Sequence, residues 1–249
     1  MRIKIIYLMW QRQLIRYWRS RARMIGALGQ PVLFFLALGF GFGPVYARAG
    51  GGNYLEFLAP GVMAMTILFT SMFAGMEVIW DRQFGFLKET MVAPVSRWEI
   101  MLGKTLGGAT IALIQALIVF VITLFFGFQP NWALLPVALI FMFVLALTFT
   151  ALGVSIASQL EDMQAFPIIM NFLIMPIFFL SGALFPLDNL PRAIDFVVNI
   201  DPLSYGVDGI RGALIGGSHY GLWVDFAVLA VVAFIFISIG TYLFSRIEA

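Results

Sequence analysis

The sequence predicts an all-α membrane protein. Of 249 residues, 61% are hydrophobic and 11% charged, and the mean hydropathy is +0.97. Soluble domains carry roughly 25% charged residues, so this chain cannot build a wet surface around a core and the bilayer must serve as its solvent. The apolar residues fall in runs of about 20, the length a helix needs to cross ~30 Å of hydrocarbon. No stretch alternates as a transmembrane strand would. There are no cysteines, so neither a disulfide framework nor a thiolate metal site is expected.

The runs give six spans in one domain covering residues 1–249. They are Ile25–Gly43, Phe57–Ile79, Thr105–Phe128, Trp132–Ala157, Ala165–Phe185 and Leu222–Phe244. The first begins only after an arginine-rich stretch, so no cleavable signal is expected. Lys and Arg set the orientation. Seven lie in the N-terminal segment, four between Trp80 and Lys104, and Arg246 in the tail; only Arg48, Arg192 and Arg211 lie on the other side. That split places both termini and the central segment in the cytoplasm of a multi-pass protein of the cell (inner or plasma) membrane.

Residues 1–24 read as an amphipathic interfacial helix. Ile3, Tyr7, Trp10, Leu14 and Tyr17 recur at helical spacing, and Arg12, Arg16, Arg19 and Arg23 form an opposing stripe. The aromatic face suits the headgroup region and the arginines suit phosphate and cytosol. Two readings stay open: a plain membrane anchor, or an anchor that also touches a cytoplasmic partner.

Residues 80–104 (WDRQFGFLKETMVAPVSRWEIMLGK) are the one long polar stretch between spans. A short helix is expected around Arg82–Val92, ended by Pro94, because the residue before a proline is biased away from helix. Phe84, Leu87 and Met91 share a face, ringed by Arg82, Lys88 and Glu89. Outside the bilayer an apolar face needs a cover: a partner surface, or this chain's own spans.

Residues 186–221 lie on the outer side yet contain apolar helical stretches. Asn189 and Asp201 are plausible N-caps, followed by Pro191 and Pro202 at positions that tolerate a missing N–H. Helices starting there are too short to cross, which suggests a re-entrant or interfacial hairpin. Pro186, Pro191, Asp201, Pro202, Tyr205 and Arg211 are candidates for a lid over an exit path; a structured loop packing on the bundle is the alternative.

Stripes of Met and Phe suit adaptable apolar surfaces. Met65, Phe69, Met72 and Met76 share a face of the second span; Asn171, Met175, Phe178 and Phe179 group on the fifth, interrupted by Pro176. Packing or lipid contact is the alternative to a substrate path. Gly39–Gly43 and Gly103–Gly107 permit close helix approach.

Several function classes are excluded. Gly103-Lys104-Thr105 resembles the end of a P-loop, but the pattern needs a glycine where Trp98 stands. The chain is therefore not expected to bind ATP. The span interiors offer neutral polar groups such as Thr66, Ser71, Gln115, Thr148 and Asn171, while Glu56, Glu77 and Asp225 sit near span ends; a proton-driven carrier needs a titrating group nearer the midplane. His219 is the only histidine, short of the roughly three ligands of a catalytic metal. Glu161-Asp162 reads as a solvated turn, or as a partner for arginines. No nucleic-acid partner is indicated.

Three features occur together: the basic N-terminal helix, the segment LKETMVAPVSRWEIMLGK, and the late SGALFPLDNLP…NIDPLSYGVDGIRGAL. Together they resemble the permease subunit of type-2 ABC exporters, a family that includes drug-resistance, nodulation-factor and polysaccharide exporters. The resemblance covers essentially the whole chain. It implies a half-transporter that pairs with a second copy of itself in membrane lipid. It also implies a separate cytoplasmic ATP-binding cassette subunit, which would hold ATP and Mg. The resemblance makes Arg82–Ala93 the coupling helix and lines the path with the second and fifth spans. The function expected is outward movement of an amphipathic or hydrophobic, drug-like or lipid-like substrate. A polysaccharide or glycolipid exporter, or a non-transporting assembly or immunity protein, is the alternative.

Overall fold

A computed structural model describes residues 3–50, 52–86, 95–160, 162–187 and 190–245. Among these the chain is helical: α1 (Ile3–Arg19), α2 (Arg21–Arg48), α3 (Tyr54–Ala74), α4 (Met76–Gln83), α5 (Arg97–Phe125), a 3-10 turn (Trp132–Leu134), α6 (Leu135–Gln159), α7 (Ala165–Leu180), α8 (Arg192–Ile200), α9 (Pro202–Ile215) and α10 (Leu222–Ser245).

Among the described residues five helical stretches are long and apolar enough to cross a membrane: Arg21–Arg48, Tyr54–Gln83, Arg97–Phe125, Trp132–Gln159 and Leu222–Ser245. The expected fifth span departs from this pattern. α7 has 16 residues, about 24 Å at 1.5 Å per residue, and stops before Phe185. Ser181 ends it: its hydroxyl donates to the Phe178 carbonyl and accepts from the Ala183 amide, and Gly182 follows at φ +72°.

α3 is the centre of the bundle, with every residue from Leu58 to Leu68 buried. It packs on α5, α6 and α2, and α10 packs along α6. α2 buries only Pro31, Phe35 and Gly39, a single stripe at four-residue spacing, and α10 likewise buries one stripe. Both helices also expose large apolar side chains, among them Leu33, Phe40 and Phe42 of α2 and Trp223, Val231 and Phe234 of α10, as a lipid-facing helix must.

α3 and α4 form one span broken at Gly75, where the chain crosses α6. A Cβ at Gly153 would lie 2.6 Å from the Met72 carbonyl, and one at Gly75 would collide with the Gly153 backbone. Two glycines thus let the helices meet backbone to backbone.

Three boundaries correct the sequence reading. The N-terminal helix ends at Arg19, and Arg21–Met24 already belong to α2. The polar stretch 80–104 is helical at both ends: its first residues complete α4, which ends at Gln83, and Arg97–Lys104 open α5. Ser96 begins α5, its amide donating to the Glu99 carboxylate at 3.3 Å, the reach-back of a capping box. The helix after Pro191 starts at Arg192 with Pro191 in the cap position; Asn189 lies outside the described residues.

α1 runs lengthwise along α5. A Cβ at Gly103 would lie 2.5 Å from Met9, and one at Gly107 2.6 Å from Gln13. Trp10 Nε1 donates to Thr110 at 3.0 Å, and Gln115 donates to the Tyr17 hydroxyl. Of the other expected contact glycines, Gly39 meets Leu55 whereas Gly43 faces open space.

Candidate functional site

The segment expected to couple the chain to a partner begins at the end of α4. Arg82 lies in its last turn. Phe84 follows, 77% exposed. Leu87, Lys88, Glu89 and Met91 lie outside the described residues. Arg12 stacks over Phe86, 4.3 Å from the ring centre, so α1 reaches this segment.

Beside it stands an ionic cluster that the sequence reading missed. Glu77 and Asp81 are four residues apart and share one face of α4. Both side chains are 5% exposed. Arg12 donates to Asp81 at 2.9 Å and Arg16 at 3.2 Å. Lys104, itself 4% exposed, reaches the same carboxylate from α5. Glu77 pairs with Arg23 and lies 3.6 Å from Arg16. Arg12, Arg16 and Arg23 of the N-terminal arginine stripe therefore pair with buried carboxylates while keeping 30%, 34% and 37% of their side chains exposed. The partners were hidden because Asp81 and Lys104 fall in a stretch that reads as solvated loop. The usable signal was the Glu77/Asp81 spacing beside an excess of arginine. Asp162, the other acidic candidate, accepts from the Gln164 amide in a local turn.

Above the cluster lies a cavity of about 350 Å³ between α1, α2, α3, α4 and α5. Met65, Phe69 and Met76 of the second-span stripe line it, while Met72 is fully buried elsewhere. The fifth-span stripe is not assembled there. Phe178 packs inward, 6.3 Å from Phe34 and 6.4 Å from Phe69. Asn171, Met175 and Phe179 are exposed on the outer face of α7.

On the opposite side the two short helices form a hairpin. Asp201 caps α9, its carboxylate accepting from the Leu203 amide at 2.9 Å, and Pro202 occupies the first turn. Burial pushes the Asp201 carboxyl up to about 7, against the pull of that amide. α9 is buried from Leu203 to Leu214 and packs on α10, α6 and α3, as a non-spanning apolar helix must. Tyr205 donates to the Asn199 carbonyl at 2.8 Å and stacks on Tyr220.

Arg211 is the hairpin's anchor. It donates to the Gly182 carbonyl at 2.9 Å and the Phe57 carbonyl at 3.4 Å, and lies 4.0 Å over the Phe57 ring. Burial lowers its pKa to about 10, partly offset by Asp208. Asp208 accepts the His219 and Tyr220 amides, both at 2.8 Å. Asp225 is fully buried beside the Asp208 carboxyl, close enough for the two side chains to share a hydrogen bond. Pro186 and Pro191 are exposed at the rim. Among the described residues no group of His, Cys, Asp and Glu is arranged to hold a metal.

Residues 5–215 match the family model of the ABC-2 type transporter. A transport permease, ycf38, of Cyanophora paradoxa is 28% identical over 242 residues, covering 96% of this chain and 82% of that protein. Nodulation protein J of Rhizobium leguminosarum bv. viciae is 26% identical over 240 residues, with coverage of 95% and 92%. The ycf38 permease of Pyropia yezoensis is 30% identical over 213 residues, with coverage of 80% and 70%.

Proposed function

The chain belongs to the ABC-2 type transporter family, and from that premise we propose that it is the membrane-spanning subunit of an ATP-driven exporter. It crosses the cell membrane six times, α7 and the turn after it making the fifth crossing. Both termini are cytoplasmic, as the Lys and Arg split favours. It works with a second copy of itself and with a separate ATPase subunit that binds ATP and Mg. Its substrate is amphipathic or hydrophobic.

The observation that carries this reading is the reach of the family match. It runs unbroken from the N-terminal helix through the cytoplasmic segment to the end of α9. Those parts supply what an externally driven permease needs: a handle beside Phe84, a cavity inside the span bundle, and an outer hairpin held on the span ends by Arg211. The test is reconstitution in liposomes with a candidate ATPase subunit. ATP-dependent movement of an amphipathic fluorescent probe is expected only when both proteins are present. Sustained ATP hydrolysis by the pure chain, or probe movement independent of the ATPase, would overturn the reading.

A further inference from the structure

α1 has two faces, and the bundle covers only one. Trp10 and Tyr17, part of the face expected among the headgroups, instead bond to Thr110 and Gln115 of α5. A different set faces outward. Leu8 and Ile15 are 49% and 45% exposed, and Trp18 is 66% exposed. Leu8, Arg12, Ile15 and Arg19 stand at i, i+4, i+7 and i+11, so they form one stripe along the helix. With Gln11 and Arg16 they line a groove of about 460 Å³. Guanidinium and aliphatic groups alternate in it, and among the described residues no carboxylate lines it.

The positive charge of this groove is only partly neutralised. Residues 1–55 contain no Asp or Glu. Among the described residues the carboxylates that reach its arginines are Asp81 and Glu77, and these also hold Lys104 and Arg23. Arg19 is exposed and makes no ion pair among the described residues. Five cations therefore stand against two carboxylates, a surplus of three. Both carboxylates are 5% exposed, beneath the arginines, so the outer surface of the groove shows cations alone. Its occupant must supply negative charge and carbon together. Anionic phospholipid does so: phosphate matches the arginines, and glycerol with the upper acyl carbons matches Leu8 and Ile15. The apolar exposure continues through Ile25 and Leu33, 68% and 67% exposed on α2, a helix long and apolar enough to cross the membrane. An acidic protein surface would leave that apolar band uncovered.

We propose that the outward face of α1 is a binding site for anionic phospholipid of the surrounding leaflet. A lipid phosphate lies between Arg12, Arg16 and Arg19, and its glycerol and first acyl carbons lie on Leu8 and Ile15. Asp81 holds Arg12 and Arg16 from within while the lipid neutralises the outer charge, so α1 is clamped between the second span and the bilayer. A zwitterionic phospholipid offers the same carbon without net charge and binds more weakly. The site needs neither ATPase nor cargo, so its failure and that of the exporter reading are independent.

The experiment uses the full chain in phosphatidylcholine nanodiscs that contain a small, increasing fraction of phosphatidylglycerol brominated on its upper acyl carbons. A parallel series uses phosphatidylcholine brominated at the same positions. Trp18 stands one turn beyond Ile15, so the readout is the part of tryptophan quenching that disappears in Trp18→Phe. The anionic lipid should saturate this signal at a mole fraction about tenfold below that of the zwitterionic one. Arg19→Gln should keep the melting midpoint and weaken the anionic lipid about tenfold, the loss of one charge-assisted hydrogen bond. It should leave the zwitterionic lipid unchanged, and Arg19→Lys should retain most of the preference. Ile15→Glu, which sets a carboxylate in the groove, should abolish the preference. Arg48→Gln, at the far end of α2, should have no effect. Equal quenching by the two lipids overturns the proposal, as does a preference untouched by both Arg19→Gln and Ile15→Glu. An equal fall in Arg48→Gln would mean attraction by total charge alone, and overturns it too. Loss of the preference when the ATPase is bound would assign the face to that partner instead of to lipid.

Discussion

Arg12 of the N-terminal helix donates a 2.9 Å hydrogen bond to Asp81, 69 residues further along and at the end of the second span. Lys104 binds the same carboxylate from the third span. One buried carboxylate therefore ties together the N-terminal helix, the second span and the third span, directly before the segment proposed to meet the ATPase. Movement of that segment must either carry α1 along or break these ion pairs.

Asp81→Asn should be severely destabilising. It leaves Lys104 buried without its counter-charge, and breaking a buried pair by removing one partner costs roughly 3–5 kcal/mol. In a chain of this size that is a fall of roughly 10 °C in melting midpoint. The double change Asp81→Asn with Lys104→Met removes both charges and should restore most of the loss. Equal melting of the single and double variants in detergent would mean that the pair carries no net coupling.

The helices were legible in the sequence because hydrophobic length is a local signal. α3, α6 and α10 emerge close to the expected spans, and Asp201-Pro202 starts α9 as the capping chemistry requires. The ends of elements were harder to read. Charged residues at 80–104 read as loop because the sequence does not show that Arg12 and Arg16 cross the bundle to neutralise Asp81. Three of the four second-span stripe residues line one cavity. The fifth-span stripe is divided, with Phe178 packed inward and Asn171, Met175 and Phe179 exposed, because helical phase alone does not tell an inward face from an outer one. Arg211 was read as an outer charge, yet it is 9% exposed and holds two carbonyls. Long-range pairing of this kind leaves no periodic trace.

Arg211→Met is expected to loosen the hairpin of α8 and α9 without disturbing the ionic cluster on the opposite side. Two carbonyls lose a charged donor, and Asp208 loses its nearby cation, a loss of about 3 kcal/mol. Hydrogen exchange should rise in 182–187 and 215–221 and stay unchanged in α1. Transport should fall while ATPase association persists. A proline at Gly206 is a poorer test, because it breaks α9 and also crowds Leu145. Unchanged exchange in Arg211→Met would remove the anchoring role.

Stability should depend on pH through Asp201. Its folded pKa, about 7, stands above the ordinary 3.8, so between those values the folded state binds the extra proton. The stabilisation is fully present below about pH 3.8 and is lost as pH rises through 7. The integrated swing is at most roughly 4 kcal/mol, at 1.36 kcal/mol per unit. Wild-type chain should melt higher at pH 5 than at pH 8. Asp201→Asn keeps the capping acceptor but cannot ionise, so its melting temperature should fall less over that range than that of the wild type. A variant with the full wild-type slope would place the titration elsewhere.

Phe84 is the residue that separates stability from coupling. It follows α4 immediately and is 77% exposed, so the isolated chain gains little from it. Phe84→Asp should therefore leave the melting midpoint nearly unchanged, since exposed substitutions usually lie within about 0.5 kcal/mol. An exposed phenylalanine at the end of a span is the kind of apolar anchor that a partner surface covers. Buried in such an interface, an unpaired carboxylate costs several kcal/mol, so association with the ATPase should weaken at least tenfold, equivalent to about 1.4 kcal/mol. Phe84→Leu keeps the apolar contact and should retain most of the affinity. Pull-down and ATP-dependent transport measured on the same three proteins decide the matter. If Phe84→Asp expresses normally, keeps its partner and transports at the wild-type rate, force enters the chain somewhere other than the end of α4.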